Sequence, residues 1–152
     1  MKIRYIKQII SVLIIDALVM FSASAQYTAS AYVERYGALA DSVSAIYGVP
    51  SCIILSQAML ESGHGGSRLA RVQNNHFGIK AGRGFARYKS VEESYVAHSV
   101  LLTTGKRYRG LLVIPATDYR GWANELQRSN YASEKTYAEE LIKIIERYIV
   151  SK

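Results

Sequence analysis

At 152 residues the chain has room for one domain with a modest core. Lys and Arg outnumber Asp and Glu by 19 to 12, a formal net charge of +7 that favours polyanionic surroundings, yet no basic run with interleaved aromatics marks a nucleic-acid groove. Cys52 is the single cysteine, which excludes an intrachain disulfide, and its apolar neighbours give it the reading of a small buried hydrophobe.

In chain order, Lys2, Arg4 and Lys7 precede an apolar run from Ile9 to Phe21, and Ala23-Ser24-Ala25 offers a small-x-small cleavage site before Gln26. The run is about 13 residues long where a membrane span needs roughly 20, and it carries Asp16. Residues 1–25 therefore read as a secretory signal peptide rather than an anchor, and 26–152 as one mature domain, secreted or periplasmic, with no stable membrane anchor. Losing Lys2, Arg4, Lys7 and Asp16 leaves a net charge of +5. A lipoprotein would need cysteine at the new N-terminus, and position 26 is Gln.

Tyr32, Tyr36, Leu39, Val43 and Ile46 fall at helical spacing and form one apolar stripe, closed by Gly48. Pro50 suits the first turn of a second helix, whose residues 52–60 are apolar on nearly every face; such a helix belongs at the centre of the fold. A short helix is expected after Ser67, and longer ones over Ser90–Leu102, Asp118–Arg128 and Thr136–Ile149. Ser90 with Glu93, and Thr136 with Glu139, both fit the capping box. Ala81-Gly82-Arg83-Gly84 reads as a turn flanked by at most two very short strands.

The central helix ends on Glu61, followed by Ser62-Gly63-His64-Gly65-Gly66. In a last helical turn the backbone dipole repels an anion, and the apolar face resists hydrating it; both raise the carboxyl pKa. A carboxyl protonated near neutral pH is what a general acid needs to protonate the leaving oxygen of a glycosidic bond. From these residues alone, a carboxylate turned outward at a frayed end, or bonded to the glycine-loop amides, is the competing reading.

Leu60-Glu61-Ser62-Gly63, then Asn74-Asn75-His76-Phe77-Gly78-Ile79-Lys80, then Tyr88 to Tyr95, then Tyr131-Ala132-Ser133 with Tyr137-Ala138-Glu139 resemble, in order, the endo-β-N-acetylglucosaminidase domain of glycoside hydrolase family 73. The resemblance implies a mainly α, lysozyme-like fold with a groove for peptidoglycan glycan strands, and Glu61 as the acid that cuts after N-acetylglucosamine. It also implies a role for Tyr131 in orienting the acetamido group or a water, and a substrate-binding set of Asn75, Phe77, Gly78 and Tyr88. Two further residues read two ways from their own chemistry: His64 as substrate contact or polar loop residue, and Trp122 as sugar platform or core.

One departure from the family pattern matters. Between Lys80 and Tyr88, where the family carries a longer β-hairpin region with a second acidic residue, this chain has only Ala81 to Arg87, none of them acidic. The β-region is thus expected to be reduced and the groove more open. Glu92 and Glu93, the acids nearest that gap, are candidates for the second acid, against the competing reading that a helical first turn already explains them. Substrate-assisted hydrolysis, a transglycosylase route, or a domain that binds glycan without cutting it stay open on this ground. A Gly-Leu-Met-Gln motif after Glu-Ser, usual in transglycosylases, is absent. His64, His76 and His98 do not fall at metal-ligand spacing, and no cofactor motif is present. A shallow groove would suit an envelope protein partner that helps hold substrate.

Overall fold

The computed structural model describes residues 27–150. The signal-peptide expectation over 1–25 lies outside the described residues.

Helix α1, Ala29–Tyr47, starts where the Thr28 side chain accepts the Ala31 N–H at 3.2 Å and stops at Gly48, whose φ of 74° suits glycine. Its buried face carries Ala29, Tyr32, Ala40 and Val43, with Tyr36, Leu39 and Tyr47 packed at the margin. Ile46 is not part of that stripe: it is 74% exposed, because after Val43 the helix turns Tyr47 rather than Ile46 onto the core.

Helix α2, Ser51–Ser62, begins one residue after Pro50. Every side chain from Ile53 to Met59 is buried, including Ser56 and Gln57. Polar Ser56 is satisfied by donating to the Ile53 carbonyl. This is the central helix that the all-round apolar pattern predicted. Cys52, at its edge, is only half-buried.

A short helix α3, Arg68–Gln73, follows, capped by Ser67. The two-residue strands β1, Lys80–Ala81, and β2, Gly84–Phe85, then pair antiparallel, with Lys80 opposite Phe85 and Ala81 opposite Gly84. Gly82, at φ 58°, supplies the positive φ that a tight two-residue loop requires. This hairpin is the reduced β-region.

Helix α4 spans Val91–Thr104, α5 spans Tyr119–Arg128, and α6 spans Tyr137–Ile144 and runs on into a π-helical turn, Ile145–Ile149. Helix α2 packs against α1, α4, α5 and α6, so the mainly helical architecture encloses it. A 3-10 segment, Lys106–Val113, joins α4 to α5. Its irregular spacing around Gly105 and Gly110 hid it from periodicity.

The two capping boxes fare differently. Ser90 accepts the Glu93 N–H at 3.2 Å, but the Glu93 carboxylate reaches past Ser90 to the Lys89 N–H at 2.7 Å. Thr136 does not cap α6 at all: its hydroxyl donates to Glu140 at 2.8 Å, and the first-turn Ala138 N–H is taken by the Gln127 side chain at 2.9 Å. A tertiary acceptor has displaced the local one. No helix among the described residues is long and apolar enough to cross a membrane.

Candidate active site

A cleft of about 550 Å³ opens at the C-terminal end of α2. Glu61 and the Phe77 to Lys80 segment line it from one side, Leu101, Arg107 and Tyr108 from another, and Tyr131 to Glu134 from the loop before α6. The volume lies within the range of small-molecule sites.

Glu61 reaches this cleft because α2 ends there. Gly63, at φ 56°, caps the helix, and Ser62 fastens the exit by donating to the Ala58 carbonyl at 2.5 Å while accepting the Gly65 N–H at 2.7 Å. The glycines after it serve packing rather than substrate access. A side chain at Gly65 would meet the Tyr32 ring at 3.2 Å, and Gly66 lies against Tyr27.

Part of Glu61 faces solvent, yet its carboxyl is held by the interior. Tyr137 donates to Glu61 Oε1 at 3.1 Å. The same hydroxyl oxygen accepts from Gln57 Nε2 at 2.9 Å, and Gln57 Oε1 pairs with His98 Nε2 at 3.0 Å. The directions are mutually fixed: Gln57 Oε1 can only accept, so His98 carries its proton on Nε2. His98 Nδ1 is accordingly a buried atom without a hydrogen-bond partner among the described residues, as is Ser99 Oγ. Burial lowers the His98 pKa to about 3, so the ring is neutral. It stacks on Phe77 at 4.0 Å and 12°. A chain His98, Gln57, Tyr137, Glu61 thus runs from the core to the cleft.

Burial raises the Glu61 pKa, with repulsion from Glu134 adding to it, while the Tyr137 hydrogen bond pulls it down. Burial first, then the Glu61 charge, raises Tyr131 well above the ordinary tyrosine value, so its hydroxyl stays protonated. Tyr131 stacks on Tyr137 at 5.6 Å and 22°. Tyr131 lines the cleft, and its hydroxyl makes no hydrogen bond to another described residue.

The other sequence-predicted residues fall in three places. Phe77 and Gly78 line the cleft, although Phe77 is only 3% exposed and packs mainly on His98 and Tyr95. Asn75 lies 1% exposed with its side chain already spent: it donates to Ile79 O at 2.8 Å and Ala86 O at 2.9 Å, and accepts from Ile79 N at 3.0 Å. It fixes the hairpin instead of presenting an amide to sugar. Tyr88 does not line the cleft; its backbone is anchored by Gln73 and Asn74.

His64 faces a separate recess with Tyr27, Arg35 and Tyr36. Trp122 is 3% exposed and donates to the Ile114 carbonyl at 3.3 Å, which is a core position. Glu92 and Glu93 are exposed on the first turn of α4 and do not line the cleft. The sequence reading passed over Tyr137, Gln57 and His98 as site residues, and also Glu134. The signal for Glu134 was its place in Tyr131-Ala132-Ser133-Glu134, three positions after a residue already assigned to the site.

A glutamate at the end of a buried helix thus faces a cleft walled by tyrosines, in a mainly helical, lysozyme-like fold. The glucosaminidase family, described as mannosyl-glycoprotein endo-beta-N-acetylglucosaminidase, matches residues 37–149, and the chain belongs to it. The exo-glucosaminidase LytG of Bacillus subtilis is 32% identical over 129 residues, covering 67% of this chain and 45% of its own length. The chain therefore spans about half the length of that relative. Among solved structures, the catalytic domain of the autolysin Auto from Listeria monocytogenes superposes with a TM-score of 0.71 at 26% identity, covering 79% of this chain and 84% of that one. The glycoside hydrolase domain of FlgJ from Salmonella typhimurium gives 0.66 at 28% identity, covering 79% and 87%. The described domain is of the glucosaminidase glycoside hydrolase type.

Proposed function

We propose that this protein cuts the glycan strands of peptidoglycan at the N-acetylglucosaminyl bond, with Glu61 as the general acid. The observation that carries this is the Glu61 carboxyl at the cleft end of α2, its pKa raised by burial, its orientation set by Tyr137 at 3.1 Å. A protonated, oriented carboxyl can deliver its proton to the glycosidic oxygen as the bond to the anomeric carbon breaks. Tyr131, a neutral hydroxyl with no described hydrogen-bond partner, supplies a donor for the 2-acetamido group or for water in the same cleft. Ile79 and Leu101 give the apolar surface on which a sugar ring can rest.

Action on peptidoglycan requires export, which the signal-peptide reading of residues 1–25 supplies. The net positive charge suits a substrate whose stem peptides carry carboxylates.

The test is to incubate purified protein with peptidoglycan and identify the new ends by mass spectrometry. Reducing N-acetylglucosamine ends are expected. Anhydro-muramyl ends would make it a transglycosylase, and co-sedimentation without cleavage would make it a binding module. E61Q is expected to release fragments at least a hundredfold more slowly.

A further inference from the structure

The hairpin between Lys80 and Tyr88 carries no acid, so the second carboxylate that hydrolysis ordinarily requires has to come from elsewhere or be dispensed with. Among the described residues lining the cleft, two are acidic: Glu61 and Glu134. They come from different elements, the end of α2 and the loop before α6. Glu92 and Glu93, closer in sequence to the gap, do not line the cleft.

We infer that Glu134 is the base of this enzyme, activating the water that attacks the anomeric carbon while Glu61 protonates the departing oxygen. The inference rests on the reading of Glu61 given above, and replaces a carboxylate absent from the β-region with one presented by the loop before α6.

Three observations support it. The loop that carries Glu134 is held rather than free: the Arg107 guanidinium donates to the Ser129 carbonyl at 2.7 and 3.0 Å and to the Asn130 carbonyl. Tyr131, in the same loop, is clamped against Tyr137, Tyr108 and His98. Glu134 itself is exposed and makes no ion pair among the described residues; its one described side-chain bond is from the adjacent Ser133 hydroxyl at 3.1 Å. The carboxylate is near enough to Glu61 for its charge to add to the raised Glu61 pKa, which favours the protonated form a general acid needs.

The step balances without a co-reactant. Water loses a proton to the Glu134 carboxylate as its oxygen bonds to the anomeric carbon. The carbon–oxygen bond to the next sugar breaks with its electron pair on oxygen, and that oxygen takes the Glu61 proton. Attack from the face opposite the leaving group inverts the anomeric centre, so a β-linked strand yields an α reducing end first. Exchange with solvent restores both carboxyls.

The experiment reads stereochemistry and rescue together. Proton NMR in the first minutes of digestion is expected to show the α anomer before mutarotation; the β anomer would overturn the proposal. E134Q and E134A should both lose about a hundredfold or more in kcat while melting at the parent temperature. Azide should restore turnover to E134A and leave an α-glycosyl azide, whereas E61Q should gain nothing from it. Parent-like turnover in E134Q, or a loss in E134A that azide leaves unchanged, would refute the role of Glu134 without touching that of Glu61. Conversely, an active E61Q would remove the underlying reading whatever Glu134 does.

Discussion

Tyr137, 76 positions beyond Glu61 in the chain, donates its hydroxyl to that carboxyl at 3.1 Å and in doing so connects the acid to the buried core of the protein. The bond favours the ionised form and so opposes the burial that raises the Glu61 pKa. Removing it in Y137F should move the alkaline limb of the kcat/KM profile to higher pH, because Glu61 then holds its proton longer. The same change leaves Gln57 Nε2 buried without an acceptor, so the variant should be less stable by about 1–3 kcal/mol in urea. A limb that stayed in place or moved to lower pH would mean that Tyr137 does not tune the acid.

Glu61 also leaves a signature in stability. Its folded-state pKa is raised above the unfolded value, so the folded protein holds that proton more tightly. The contribution to stability is present below the unfolded carboxyl pKa and is lost as pH rises through the folded one. E61Q removes this loss. Melting curves should therefore show E61Q gaining on the parent between mildly acidic and neutral pH, with the difference smallest at the acid end. A carboxyl that costs stability near neutral pH is what the proposed role of Glu61 requires, since a position kept for function need not favour the fold.

His98 acts in the opposite direction. Buried and neutral, with a pKa lowered to about 3, it stays deprotonated in the folded state while the unfolded chain takes up a proton near the ordinary histidine value. Stability from this group is complete above about pH 6.5 and lost as pH falls towards 3, with a slope of up to about 1.4 kcal/mol per pH unit. His76, lowered to about 4 by burial and by Arg35, adds to the same slope. Urea midpoints taken across this window should fall steeply for the parent and less steeply for H98Q. Equal slopes would show that His98 is not held neutral.

Legibility followed the range of the interactions. Helices α1, α2, α4 and α5 declared themselves because their apolar spacing and their Gly48, Ser90 and Asp118 boundaries are local, and Glu61 stood out because an acid at the end of an apolar helix is a local anomaly. The chain from His98 through Gln57 and Tyr137 was not legible. Its members lie 41 and 80 positions apart, and a buried glutamine in an apolar helix carries no sign of its partners. Asn75 was read for its chemistry rather than its geometry: an amide beside Phe-Gly-Ile-Lys can bond sugar or backbone, and the fold uses both of its ends on backbone. Glu134 was hidden for a related reason, since distance from the hairpin gap in sequence says nothing about distance across the cleft.

The role of Asn75 yields the last prediction. Its side chain closes the stretch from Ile79 to Ala86 into one unit, alongside the Ala86 N–H to Ile79 carbonyl bond at 2.8 Å. With so short a β-region, this stitching is what keeps Gly78 to Lys80 in place as a wall of the cleft. N75A should therefore raise KM more than it lowers kcat, since it loosens a wall without touching Glu61. Hydrogen exchange at the Ile79 amide should accelerate, because its acceptor is gone, and stability should drop by about 1–3 kcal/mol. N75D keeps the acceptor for Ile79 but loses both donated bonds, so exchange at Ile79 should stay slow while KM still rises. If Asn75 instead bonded the substrate acetamido group directly, N75A would weaken binding with the Ile79 amide as protected as in the parent, and the exchange experiment separates the two.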